Sequence, residues 1–287
     1  MPYQRSLLTR WGAISAAVVA AGACLALASS AQAASTLPTL SLAATASSIT
    51  VSGSTQSGAV NVVSTATGVK EATVLVFLLK PGVSIAEVEA GQKSGGGRDP
   101  NTLGKYGSIV FVTEAEPGRS SEIQTILQPG QYVALIPSEG KGPKAKTPFT
   151  VTVNKAPASL PAPGATIRAI DFGFTGPTTL HVGEQVRFEN EGFVVHMDVA
   201  FPVKNVKAAK KLVKLLKKPQ SKAVEKQAQK LTAGAPFAFQ GPVSSGAFQQ
   251  ETISAKPGVY VEACFMNTQD GREHTQLGME RIIKIVK

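Results

Sequence analysis

The chain has 287 residues, with 29 Lys and Arg against 19 Asp and Glu, two Cys, three His and one Trp. A hydrophobic fraction of 43% with 17% charge is enough to build buried cores, so a globally disordered chain is excluded. Gly and Pro are too scattered for a collagen-like repeat or a tether, and two Cys exclude a disulfide-rich scaffold or a four-Cys zinc site.

Residues 1–33 read as a secretory signal. Arg5 and Arg10 supply the positive start, an apolar run follows from Trp11 to Ala28, and Ala31, Gln32 and Ala33 fit the small-x-small cleavage rule. The mature chain then starts near Ala34. The rival readings are a retained membrane anchor, for which the run is short, and a lipid anchor on Cys24 after Ala21, Gly22 and Ala23. Cleavage removes Trp11 and Cys24 and leaves Cys264 alone. A lone exported thiol is buried, paired between chains or held by a metal.

In chain order, residues 68–77 alternate in the manner of a strand, and Ser84 with Glu87 forms a capping box for a helix. Strands are expected at 129–137 and 149–153. Residues 156–165, rich in Pro, read as a stiff linker between a first domain, 34–155, and a second, 166–287. There a strand is expected at 192–201. Helical spacing follows at Val206, Ala209, Val213 and Leu216, with Leu212 beside them; Pro219 ends that helix, and 221–231 forms another. Strands at 257–265 and 281–286 close the chain. Residues 129–137 match 257–265, and 68–77 parallel 192–201, so the halves read as repeats. The expected fold is all-β: two tandem β-sandwiches, each with a short helical insertion.

The soft and imidazole side chains lie in one half only. Residues 34–165 contain no Cys, His or Met. At matched repeat positions Ala72 stands for His196, and Ile136 for Cys264. His196, Cys264, His274 and Met279 then form a set, introduced by Asn190 at a strand end. This order resembles the cupredoxin family, the fold of plastocyanin and azurin, over 166–287, with a degenerate, ligand-free copy before it. The resemblance implies Greek-key sandwiches and one copper ion. It makes His196, Cys264 and His274 equatorial ligands and Met279 the weak axial one. A thiolate and two imidazoles suit both copper oxidation states, and a long thioether contact tunes the potential. One departure stands out: nine residues separate Cys264 from His274, where the family places its Cys and second His only a few residues apart. The insert contains Asp270-Gly271, a hairpin-turn signal able to fold outward and return His274 to the site.

The bland alternatives are a buried structural Cys264, a core or edge His196 and a core-filling Met279. His181 reads as a surface residue, and Met197 and Met266 as core. From Lys204 to Lys230 ten Lys stand against one acidic residue, Glu225. That stretch is either a solvated face or a docking surface for an anionic protein, lipid or wall polymer. With no Trp in the mature chain and few aromatics near the Lys run, nucleic acid is not expected. No phosphate loop, nucleophile-elbow Ser or large copper cluster is present in the sequence, so the expected role is not enzymatic. The favoured function is an exported electron carrier with an unidentified redox partner and no membrane span after cleavage. The rivals are a copper-free adhesion or interaction module and copper sequestration without electron transfer.

Overall fold

The computed structural model of the chain describes residues 37–94, 100–137, 143–234 and 237–287. The signal at 1–33, Cys24 and the expected mature start at Ala34 lie outside the described residues. Among the described residues no helix is long and apolar enough to cross a membrane.

The first half runs β1 (Thr39–Ala44), β2 (Ile49–Gly53), β3 (Gly58–Ala66), β4 (Ala72–Leu79), α1 (Ile85–Ser94), β5 (Gly107–Ala115), β6 (Ser121–Leu127), β7 (Gly130–Ile136) and β8 (Ala145–Val151). The second half runs β9 (Ala165–Ile170), β10 (Gly173–Thr175), β11 (Thr179–His181), β12 (Gln185–Asn190), β13 (His196–Val203), α2 (Val206–Leu216), α3 (Lys222–Leu231), β14 (Phe237–Val243), β15 (Phe248–Thr252), β16 (Gly258–Ala263) and β17 (Glu280–Val286). Short 3-10 helices occupy Pro100–Lys105 and His274–Leu277. The architecture is all-β, sheet packed on sheet. The strand expected from residue 192 begins at His196, because 191–195 form a loop instead.

The repeat is visible in the hydrogen-bond ladders. In β4 and β7 Leu75 pairs with Leu135; in β13 and β16 Val199 pairs with Ala263. Counting back along β4 and β13, and forward from β7 and β16, puts Ala72 at the place of His196 and Ile136 at the place of Cys264. One sheet runs through both halves, with eight strands in the order β10-β9-β12-β15-β6-β3-β1-β2. Its pairing repeats from either end: β1 lies parallel to β3 as β9 lies parallel to β12. The halves meet where β6 and β15 join edge to edge, at the pair Gln124 and Gln250. There Gln124 Oε1 accepts from Gln250 Nε2 at 3.1 Å and from Gln185 Nε2 at 2.7 Å. Such a junction covers two strand edges at once.

The remaining sheets are β5-β4-β7-β8 in the first half and β11-β17-β16-β13-β14 in the second. One face of the first of these packs inside its own half, with Val76, Phe111 and Ala134. The opposite face is also apolar. Its Phe77, Ile109 and Val133 join a cluster with Met197, Val199 and Val243 of the second half. Two-sided apolar strands must be covered on both faces, which the second half accomplishes. The proline-rich connection lies along both halves: Ala158 O accepts from Ala59 N at 3.0 Å, and Gly164 N donates to Gln185 O at 2.8 Å.

The helices start where the sequence signals them. Ser84 N donates to Glu87 Oε2 at 2.7 Å, closing the capping box. Asn205 caps α2 through Ala208 N, and Ser221 caps α3 through Val224 N. The buried stripe of α2 is Ala209, Leu212, Leu215 and Leu216. Val206, expected on that stripe, is 40% exposed, because it opens the helix before the chain has settled onto the sheet.

Candidate metal centre

β13 and β16 are neighbours, so the start of one and the end of the other lie side by side. His196 opens β13, and Cys264 follows the last residue of β16. A break in the β13–β14 register falls between His196 and Asp198, a local irregularity of the kind that re-aims a side chain.

Asn190 shapes the approach to His196. Its Nδ2 donates to Val194 O and Val243 O, both at 2.8 Å, and its Oδ1 accepts from Gly192 N at 3.0 Å. Asp171 Oδ1 accepts from Phe193 N at 2.8 Å and stands 3.7 Å from His196 Nε2. Gly192 must lack a side chain: a Cβ there would come within 2.7 Å of both His196 Nε2 and Asp171 Oδ1.

The long connection after Cys264 folds out and returns. Gly271 N donates to Thr268 O at 2.9 Å, Thr268 N to Arg272 O at 2.9 Å, and His274 N to Met266 O at 2.8 Å. A bridge between Asn267 and Glu273 closes the excursion. The 3-10 turn from His274 ends at Gly278, whose left-handed φ of 102° suits glycine. Met279 N then donates to His274 O at 3.0 Å, and Met279 O accepts from Cys264 N at 3.1 Å.

These paths bring three expected residues together. Cys264 Sγ lies 3.3 Å from His274 Nδ1 and 3.8 Å from His196 Nδ1, and the two Nδ1 atoms are 3.2 Å apart. All three residues are fully buried. Met279 is fully buried too, and its backbone is tied to both Cys264 and His274. Metal–nitrogen bonds of about 2.0 Å and metal–sulfur bonds of about 2.3 Å require a donor triangle with edges of roughly 3.5–3.8 Å. The observed triangle is near that size, so the residues fit an ion. Met197 and Met266 are core, as expected, and Met197 N donates to Cys264 Sγ at 3.4 Å. His181 is exposed, with Nδ1 3.1 Å from Lys287 O.

Burial sets the protonation of the group. It lowers His196 to about 4, against the pull of Asp171, and lowers His274 to about 3 with help from His196. Both imidazoles are therefore neutral at pH 7, with lone pairs free to bind. Burial raises the Cys264 thiol to about 12, opposed by the N–H groups of Met197 and Met266. A bound cation would displace that proton. Beneath the site, burial and then Glu262 hold the Asp198 carboxyl well above its ordinary value, while Glu262 pairs with Arg281.

Several contacts were not legible from motif spacing. Phe172, at a left-handed φ of 63°, sets its ring edge-on to His274 at 5.1 Å. Gln220, between the two helices of the insertion, donates to Glu273 Oε2 at 2.8 Å, beside His274. Lys217 Nζ pairs at 3.2 Å with Glu280, beside Met279. Asn101, from the first half, accepts from Val195 N at 2.6 Å, beside His196. The sequence signal is only that the polar Glu273 and Glu280 stand next to expected ligands; nothing in the sequence points to Phe172 or Asn101.

The described strands form the stacked sheets that were expected, and they bring Cys264 together with His196 and His274. A thiol with two imidazoles suits one copper ion. Comparison with protein-family models and with curated proteins finds no match. Among solved structures, the chain is similar to auracyanin B at 17% identity, over 45% of this chain and 93% of that one, with a TM-score of 0.27. It is similar to a dithionite-reduced auracyanin of the photosynthetic bacterium Roseiflexus castenholzii at 17% identity, over 42% and 95%, with a TM-score of 0.24. It is also similar to a Cu-containing nitrite reductase from Thermus scotoductus SA-01 at 13% identity, over 87% and 68%, with a TM-score of 0.25.

Proposed function

We propose that this is an exported one-electron carrier that holds a single copper ion in its second domain, 166–287. His196, Cys264 and His274 would be the close ligands and Met279 the weak one. The first domain, 34–155, would be the ligand-free copy. The observation that carries this reading is the buried triangle of Cys264 Sγ and two Nδ1 atoms with edges of 3.2–3.8 Å. Copper bound there would supply a one-electron redox couple. The chain's own residues supply the rest. Neutral imidazoles need no deprotonation before binding, Phe172 shields His274, and the packed loops hold the donors near their bound spacing. Little rearrangement is then needed when charge changes.

An electron carrier needs a partner. The lysines of α2 and α3 are exposed, and Glu225, the acidic residue among them, is buried. Val206, Lys207, Lys210, Lys211 and Lys214 line an open groove of about 440 Å³ on the outer face of α2. This stretch has no Arg and no aromatic residue. Hydrated point charges without such anchors steer a partner and release it, the behaviour of a transient electron-transfer complex. The partner surface would be acidic.

Copper reconstitution of the mature protein tests the reading. The expected result is one equivalent bound, with an intense thiolate-to-copper absorption that Cys264→Ser abolishes. Colourless binding of Cu(I) alone would instead indicate sequestration, and no binding would indicate an interaction module.

A further inference from the structure

The half without ligands reaches the metal centre. We propose that Asn101 of the first half is a positioning residue for His196, so that the centre is completed by both halves of the chain. The inference rests on the copper reading above.

The loop from Glu191 to Val195 delivers His196, and the amides of Glu191, Gly192, Phe193 and Val195 are each held. Glu191 N and Gly192 N donate to Ala169 O at 2.9 and 3.1 Å. Gly192 N also reaches Asn190 Oδ1, and Phe193 N reaches Asp171 Oδ1. All of these acceptors belong to the second half. Val195, the residue bonded to His196, is different. It is buried, and its N–H is taken by Asn101 Oδ1 at 2.6 Å, across 94 residues of sequence. A buried amide needs an acceptor, and at this position the partner sits on the other half.

Asn101 is itself well anchored. It lies in the 3-10 turn Pro100–Lys105, which ends with Tyr106 N donating to Leu103 O at 2.9 Å and Tyr106 O accepting from Lys80 N at 2.8 Å. The strand that follows, β5, is pinned to the second half in both directions. Ile109 N donates to Ser244 Oγ at 2.9 Å, and Ser244 N returns to Ile109 O at 2.9 Å. Further along, Val112 N and O bond Gln249 Oε1 and Nε2 at 3.2 and 3.3 Å. The first half therefore presents Asn101 from a fixed platform. One half lacks the donors and supports those of the other.

The test uses the full mature chain with Asn101→Ala, which removes the acceptor, and Asn101→Asp, which keeps an oxygen in its place. In the metal-free protein, amide hydrogen exchange at Val195 should accelerate at least tenfold in Asn101→Ala and stay near the unsubstituted rate in Asn101→Asp. In the copper-loaded protein, copper release should be roughly tenfold faster in Asn101→Ala, in line with other outer-shell losses, and restored in Asn101→Asp. The visible band should shift only in Asn101→Ala. Unchanged Val195 exchange, or release and spectrum that do not move in Asn101→Ala, would overturn the proposal. So would equal damage in both variants, since a general packing defect would not be rescued by the retained oxygen. If the unsubstituted chain binds no copper, the proposed function fails, while Val195 exchange still reports separately whether Asn101 holds that loop.

Discussion

Gly192 shows how tightly the donors are confined. Its missing Cβ is the space filled by His196 Nε2 and Asp171 Oδ1. Gly192→Ala should cost roughly 1–3 kcal/mol of stability by denaturant unfolding, as overpacking does. Copper affinity should drop by about 10–100-fold, because Asp171 and the imidazole are pushed apart. Unchanged affinity would show that His196 is not a ligand in this orientation. Met279 presents the opposite case. Met279→Leu keeps volume and apolarity, so stability should change by less than about 1.5 kcal/mol. Copper should remain bound with a shifted reduction potential, since a thioether tunes the site more than it holds it. A potential that does not move would remove Met279 from the ligand set.

The helical insertion does two things with two faces. Its apolar face packs chiefly on β17 and β16, and less on β13. Its last turn and the following bend reach the ligand loops, through Lys217 to Glu280 and Gln220 to Glu273. Burial raises the Glu273 carboxyl to about 7, with Gln220 and Thr275 opposing the rise. Gln220→Ala should therefore destabilise the fold by about 1 kcal/mol, the net worth of one hydrogen bond, since Thr275 Oγ1 still donates to Glu273 Oε2 at 3.3 Å, and should broaden the copper spectrum. The solvent face of α2 makes a separate prediction. Lys207→Gln, Lys211→Gln and Lys214→Gln together should slow reduction of the copper protein by ferrocyanide at low salt and flatten its salt dependence. Lys70→Gln, Lys80→Gln and Lys155→Gln remove the same charge elsewhere and should do less. Equal effects from both triples would mean that net charge, and not the helical face, steers the reactant.

The two halves fold against one another along a junction that contains carboxyl groups. Gln249 meets Val112, and two residues further along their strands stand Glu251 and Glu114. Burial, then Glu71 and Glu116, raises Glu114 from 4.5 to about 7; burial, then Glu114, raises Glu251 well above its ordinary value. A carboxyl whose folded-state pKa is raised binds more protons folded than unfolded. The contribution of Glu114 to stability should thus fall as pH rises from about 4.5 to about 7, against the gain from His196 and His274, whose lowered values make the folded chain more stable as pH rises toward 6.5. Glu114→Gln should flatten that fall by an amount on the order of 2–3 kcal/mol, measured by urea unfolding across the range. A pH profile unaltered by the substitution would contradict the assignment.

Much of this was legible before folding is considered. Alternation predicts the strands because a sheet face repeats every second residue, and the capping box at Ser84 is local chemistry. The order of candidate donors His196, Cys264, His274 and Met279 was readable because the donor types are rare and concentrated in one half. The Asp270-Gly271 turn explains how a long excursion still returns His274, since a hairpin's closure depends on its own few residues. Other features depended on distant segments meeting. Asn101 and Val195, or Gln220 and Glu273, have no spacing rule, because sequence separation carries no information about which loops share an end of a sandwich. The proline-rich stretch read as a stiff linker between two domains, which says nothing of how they meet; the apolar outer face of β4, β5 and β7 had to be buried. The second half was the surface available to bury it. Local patterning therefore determined the elements and the donor inventory, while tertiary burial decided that one sheet and one core would join the halves and place Asn101 of the first half beside Val195 and His196 of the second.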